Sequence, residues 1–314
     1  MRFDSMSFAA SSLGWLTWSN PVAVWWCFLI GVSAANIAWW FWLGRRLRQA
    51  ANGWQSAAFA VEPLLLLSAA YVFGCAFRSV LPRADVQRIC LFDTFLSSVF
   101  VGRSVATVAE LCFAAQWAIV VRLLADIANS DTARRCAALV MPLIVIAECC
   151  SWYAVITTDY LGNVFENSLW TATYLLIGVA LLRLVFRFRG IAQTAIAVVA
   201  VGILGYVVFM CTVDVPMYFA RWQADTAEGR EYLGLFAGLY DATSRWVVTR
   251  DFAPWREEIA WMSLYFSMAV WTSLALASLG LVRHRLPRYR ARVRSRKPAV
   301  RPVAVPVYSA RRVR

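Results

Sequence analysis

Residues 98–124 read SVFVGRSVATVAELCFAAQWAIVVRLL. The run exceeds the roughly 20 mostly apolar residues that a helix needs to cross a hydrocarbon core about 30 Å thick. It shows no strand-like alternation, and in lipid every backbone polar group has to be satisfied internally, so the reading is a transmembrane helix. Yet Arg103 and Glu110 lie inside it. A charge at a helix centre costs roughly 2.5–3.5 kcal/mol on insertion scales, so both need partners away from lipid. Arg103, Thr107 and Glu110 stand at i, i+4 and i+7 and therefore share one face. Gln116 falls roughly 120° off that stripe. Ser104, Ala106 and Ala109 are small enough for close helix approach. This helix is expected at the centre of a bundle, its polar stripe turned inward.

Six more stretches have the same character, near 21–43, 57–80, 137–157, 168–187, 191–213 and 259–282. Of the 314 residues 61% are apolar and 16% charged, against about 45–50% and about 25% in soluble domains. The fold class expected is all-α: a polytopic integral membrane protein with a bundle of seven transmembrane helices. Trp25 and Trp26 open the first span, and Trp39, Trp40 and Trp42 close it, as in a helix anchored at both interfaces. That span is too long and too aromatic for a signal peptide and ends in the stop-transfer-like Gly44-Arg45-Arg46-Leu47-Arg48.

Arginine sets the orientation. Arg45, Arg46 and Arg48, then Arg122, Arg134 and Arg135, then Arg183, Arg187 and Arg189 fall on one side with the C-terminal tail. The 158–167 segment on the other side has no basic residue, although 81–97 carries Arg83 and Arg88, balanced by Asp85 and Asp93. The positive-inside rule then puts the N-terminus outside and the C-terminus in the cytoplasm. Residues 283–314 hold eleven arginines, one lysine and no acid; this basic tail is expected to be disordered and to lie against anionic lipid. The organisation expected is an outer segment 1–20, a membrane domain 21–282 and the tail 283–314. The outer loop 214–256 is expected to carry an amphipathic helix that starts at the capping-box-like Asp225-Thr226-Ala227-Glu228 and repeats apolar residues at Tyr232, Leu235, Phe236, Leu239 and Tyr240.

Rare residues exclude much. His284 and Lys297 are the single histidine and lysine, and both follow the last apolar run. Bis-histidine haem, multi-histidine metal sites, Ser-His or Cys-His dyads and a retinal Schiff base inside the membrane are therefore excluded. No metal site is expected, and no particular cofactor is indicated. Walker-type and Gly-rich dinucleotide loops are absent, as is an internal repeat. Most of the eight cysteines lie in apolar runs as small hydrophobes; Cys75, Cys90 and Cys211 fall near one face, where a disulfide is one option.

The informative residues are the costly ones: Glu62, Arg78, Arg103, Glu110 and Glu148 within or near spans. Asp159, Asn163, Glu166 and Asn167 crowd the 158–167 loop; Asp214 ends the sixth span, followed by Tyr218 and Arg221; Glu257 and Glu258 open the seventh after Pro254. Arg103 could pair with Glu148, and Glu110 with Arg78, purely to fix register. In a functional reading, Arg78 and Arg103 hold an anionic head group, with Thr107, Asp159, Glu166 and Asp214 around the substrate, while Glu110 or Glu148 serves as acid or base. Three classes of function are open. The first is binding or processing of a lipid-like substrate in the outer half of the bilayer. The second is a structural or accessory subunit of a larger membrane complex. The third is an ion or proton-coupled transporter with Glu110 on the path. Partners expected are membrane lipids and, in the second class, protein subunits of a membrane complex; nucleic acid is not expected, since a basic tail alone is weak evidence for it. Short loops and arginine-rich, lysine-poor composition suggest a bacterial inner membrane.

Overall fold

The computed structural model describes residues 14–51 and 63–283. Glu62, the start of the second expected span, the first thirteen residues and nearly all of the basic tail lie outside the described residues. The described residues form an all-α bundle with seven helices long and apolar enough to cross a membrane. They are α1 (Pro21–Ala51), α2 (Pro63–Val80), α3 (Val99–Ala128), α4 (Asp131–Thr157), α5 (Tyr160–Val185), α6 (Ile191–Ala227) and α8 (Phe252–Leu279). A short helix, α7 (Leu235–Ser244), lies at the end of the bundle that also carries three two-residue strands, the loop end. There β1 (Arg83–Ala84) pairs antiparallel with β2 (Ile89–Cys90), and β2 pairs parallel with β3 (Val247–Val248).

Polar side chains place the turns. Asn20 Oδ1 accepts from the Val22 N–H at 2.9 Å ahead of Pro21, whose missing N–H costs nothing in a first turn. Ser98 caps α3 and Ser130 caps α4. Between α3 and α4, Asn129 adopts the left-handed region (φ 51°), and between α4 and α5, Thr158 does the same (φ 64°). Each reverses the chain within two residues. Asp159 then caps α5, accepting from the Leu161 N–H at 2.9 Å.

That capping corrects the expected loop at 158–167. Asn163, Glu166 and Asn167 lie on the first turns of α5, because a tight left-handed turn already reverses the chain. Two other expectations change. The sixth span does not end at Asp214; a single π-helical turn, Met210–Asp214, carries the helix on to Ala227. Asp225, Thr226 and Ala227 therefore finish α6 rather than start an amphipathic helix, and α7 begins only at Leu235. All eight cysteines are free; Cys75 and Cys90 are buried, and Cys211 faces outward from α6, so the disulfide left open as an option does not form.

Helix α3 is central and packs against α2, α4, α5 and α8. Gln116, off its polar stripe, fastens it there: Nε2 donates to the Leu64 carbonyl at 2.9 Å, and Ser273 Oγ donates to Oε1 at 2.6 Å. Helix α8 also contains a π turn, Tyr265–Ala269, seated against α1. The side chain of Asn36 on α1 donates to the Phe266 carbonyl at 2.9 Å and accepts from Trp271 Nε1 at 3.0 Å. Trp25, expected at the interface, is instead buried against Trp255 and donates to Ser263 Oγ at 3.1 Å. Trp39 and Trp42 at the other end are exposed, as an anchoring belt requires.

Helices α4 and α5 cross in close contact at Gly162. A Cβ on Gly162 would lie 2.7 Å from both the Ala154 Cβ and the Cys150 carbonyl. Gly162→Leu should therefore force α4 and α5 apart and cost about 1–3 kcal/mol of stability. A clear fall in the thermal unfolding midpoint of the detergent-extracted variant is the expected reading; an unchanged midpoint would contradict this packing.

Candidate functional site

Three helices converge on one guanidinium. Arg103 Nη2 donates to Glu110 Oε2 at 2.8 Å and to Glu148 Oε2 at 2.7 Å, and stands 3.6 Å from Glu166 Oε1. The carboxylates come from α3, α4 and α5, and all four side chains are buried. Thr107 Oγ1 donates to Glu148 Oε2 at 2.6 Å and accepts from Trp152 Nε1 at 3.0 Å. Tyr265, opening the π turn of α8, donates to Glu110 Oε1 at 2.6 Å. Asn163 donates to Glu166 Oε2 at 3.1 Å. One arginine balances one carboxylate, so neutrality in a medium of low dielectric calls for further positive charge or for protonated carboxyls.

A second cluster closes the loop end. Arg83 Nε donates to Asp85 Oδ1 at 2.9 Å, and its Nη1 donates to the Ser98 carbonyl. Gly102, one turn into α3, lies directly against this guanidinium, and a side chain there would displace it. Burial, only partly offset by Asp85, lowers the Arg83 pKa to about 10. Burial pushes the Asp85 carboxyl up, but Arg83, Arg78 and Arg103 outweigh it and hold its pKa below the ordinary value. Arg78 stands 4.0 Å from Asp85 and makes no ion pair with Glu110 among the described residues. Arg88, held in the left-handed region (φ 60°), reaches Asp241 of α7 at 2.7 Å and so ties the loop to that helix.

Both clusters face a cavity of about 900 Å³, near the top of the ~300–1,000 Å³ range of small-molecule sites. Its polar end, toward the loops, is lined by Arg78, Asp85, Arg103, Glu110, Asp214 and Glu258. Further from the loop end the lining turns aromatic and aliphatic, with Phe113, Trp117, Trp170, Tyr174, Ile203 and Leu276. The cavity lies between α6 and α8. Helix α6 packs chiefly on α5, and α8 packs on α1, α2 and α3, so the two walls meet little directly. Near the loop end they are bridged by stacked Phe209 and Trp261, centroids 6.4 Å apart, and by the ion pair of Arg221 with Glu257. Below that bridge, Val198 and Val199 on α6 and Leu264 and Met268 on α8 line the cavity and are also exposed on the outside of the bundle. The cavity therefore opens sideways, toward the surface that lipid would cover.

Of the residues expected at a site, Arg78, Arg103, Glu110, Glu166 and Asp214 line this cavity. Thr107 and Glu148 sit behind Arg103 and do not line it. Asp159 caps α5 and accepts from Tyr153 Oη at 3.1 Å, away from the lining. Glu257 and Glu258 do not open the seventh span, because α8 already begins at Phe252; the Glu258 carboxylate accepts from Gln87 at 3.2 Å and belongs to the lining. Sequence reasoning passed over Tyr265, Tyr206, Trp170 and Trp261. Tyr206 and Tyr265 carried a signal, as tyrosines inside expected spans, whereas Trp170 and Trp261, each third in its expected span, resembled interfacial anchors. No protein-family model matches the chain, and no curated protein or solved structure matches it.

Removing Arg103 while keeping its carboxylates leaves buried charge uncompensated, which costs about 3–5 kcal/mol. Arg103→Met is expected to lower the thermal midpoint sharply or prevent accumulation. Combining it with Glu110→Gln and Glu148→Gln should recover much of the loss. Thermal unfolding of the single and triple variants in the same detergent checks this, and equal midpoints would show that the cluster is not electrostatically coupled.

Proposed function

We propose that this protein binds, and in an enzymatic version of the reading processes, a lipid-like amphiphile. The molecule enters sideways between α6 and α8, with its chain on the aromatic and aliphatic lining and its head at the polar end. One observation carries the reading: a single cavity grades from ionised to apolar along the bundle and opens laterally below the Phe209–Trp261 bridge. A water-soluble ligand has no use for the apolar length, and a purely structural salt-bridge network needs no cavity beside it. If the site does chemistry, Glu110 is the acid or base that reaches the cavity, whereas Glu148 is walled off behind Arg103. Arg78 lines the polar end beside Asp85, and Arg103 is already engaged by three carboxylates.

The loop end faces outward in this proposal and the C-terminus lies in the cytoplasm of a bacterial cell, since the Arg45–Arg48 and Arg134–Arg135 connections lie at the opposite end. A second reading, membership of a larger complex, has one observation in its favour. Helix α7 presents Phe236 and Tyr240, 94% and 74% exposed, at the loop end.

Gly202 gives a clean test. It lines the cavity on α6, and a Cβ there meets nothing within 4 Å. Gly202→Trp should fill the apolar length without strain. Native mass spectrometry of gently extracted protein is expected to show an amphiphile on the wild type and its loss from the variant at an unchanged thermal midpoint. Full retention by the variant would overturn the reading; a wild type carrying only protein partners would favour the complex.

Orientation is tested separately. Cys90 and Cys136 are buried, and the exposed Cys27, Cys149 and Cys211 lie within spans, so thiols are introduced at the two ends. Glu228→Cys at the loop end and Asp131→Cys at the opposite end place new thiols at exposed positions. An impermeant maleimide should label the first in intact cells and the second only after permeabilisation. The reverse pattern would place the loop end in the cytoplasm.

A further inference from the structure

We infer that the head group of the bound amphiphile carries a cationic nitrogen, an amine or quaternary ammonium, held by Asp214 and Glu258. This deepens the proposed amphiphile binding and rests on it. Three arginines and five carboxylates line the cavity. Each arginine is already committed to acids: Arg103 to Glu110, Glu148 and Glu166, Arg83 to Asp85, and Arg78 to the far side of Asp85. Arg78 Nε, Arg83 Nη2 and Arg103 Nε are sealed, while the open Nη groups of Arg78 and Arg103 stand beside those acids, so the lining acids still outnumber the arginines by two.

Asp214 and Glu258 are different. Asp214 is 6% exposed and lines the cavity, yet has no hydrogen-bond or ion-pair partner among the described residues. Its oxygens are not among the sealed, partnerless atoms, so the accessible surface that remains to them belongs to a residue that lines the cavity. Glu258 faces the same space from α8, with one 3.2 Å bond from the neutral side chain of Gln87. The nearby cation Arg221 donates instead to Glu257 and lies over the rings of Tyr160 and Tyr218, at 5.6 and 5.4 Å. A buried carboxylate without a partner is costly. When these two acids are ionised, the unmet charge of the cavity is negative, and it sits at the end where a head group would lie.

The neighbours suit a cationic nitrogen. Tyr218, Trp261 and Tyr265 line the cavity beside the two carboxylates, and aromatic faces attract ammonium groups. Asp214 occupies the π turn of α6, and Trp261 stands one turn before the π turn of α8. The smaller polar cavity at the loop end shares Gln87 and Glu258 with the main one. The head group thus meets Glu258 at the boundary between the membrane cavity and the loop surface.

The test uses full-length protein in an uncharged detergent and three hexadecyl amphiphiles bearing a trimethylammonium, a phosphate or a glucoside head. Binding is read by native mass spectrometry over a concentration series. Wild type should prefer the trimethylammonium compound over the phosphate by about tenfold or more, the order expected of one charge-assisted contact. Asp214→Asn, and the double variant with Glu258→Gln, should remove that preference, and an unchanged thermal midpoint reports that they fold. Equal or tighter binding of the phosphate compound, or a preference that survives both substitutions, would overturn the cationic assignment and leave the amphiphile reading standing. Failure of all three compounds to bind would overturn both.

Discussion

Everything in this bundle is arranged around an arginine placed where lipid forbids it to stand alone. Arg103 is buried in the third spanning helix, and the cost of that position is met by carboxylates from its own helix and from the next two. The contact orders α3, α4 and α5 about a point charge, a more directional constraint than apolar packing between helices in lipid, where the hydrophobic effect offers little preference. Thr107, Trp152, Asn163 and Tyr265 then orient the acids. Because Tyr265 belongs to α8, the same cluster also fixes one wall of the cavity relative to the central helix.

The other wall is attached differently. Helix α6 leans on α5 and reaches α8 mainly through Phe209, Trp261 and the Arg221–Glu257 pair near the loop end. One wall is thus pinned by buried electrostatics and the other by van der Waals contact and an exposed ion pair, which contributes little in water. Between them lies a space that is polar where the cluster faces it and apolar where only side chains of α3, α5, α6 and α8 remain. The gradient is a consequence of the arrangement: the acids and arginines gather toward the loop end, where their residual charge is least far from water.

Much of this was legible in residue order. The seven spans follow from apolar length, and the inward stripe follows from Arg103, Thr107 and Glu110 at helical spacing. What escaped was set by local backbone geometry or by helix adjacency. Thr158 in the left-handed region turns the chain within two residues, so Asn163 and Glu166 became helical although their polarity resembled a loop. The π turn at Met210–Asp214 carries α6 beyond the acid that looked like its end. The cavity itself has no sequence signature, because it depends on α6 lying against α5 and not against α8, and apolar periodicity cannot distinguish the two.

Two π turns shape the walls of that cavity. In each, one residue more than an α-helical turn fits into the spiral, which rotates the remainder of the helix and leaves a carbonyl without its usual helical donor. On α8 the freed Phe266 carbonyl is taken up by Asn36, so the irregularity is built into the packing against α1. Asp214 of α6 has no comparable polar support among the described residues, and the side chain that its π turn directs toward the cavity is an acid. Regular α-helices on both walls would have moved Asp214 and Tyr265 away from their present faces at little cost to span length. Both walls depart from regularity at the level of the charged cluster, one to bring a hydroxyl onto Glu110 and the other to bring a carboxylate to the cavity.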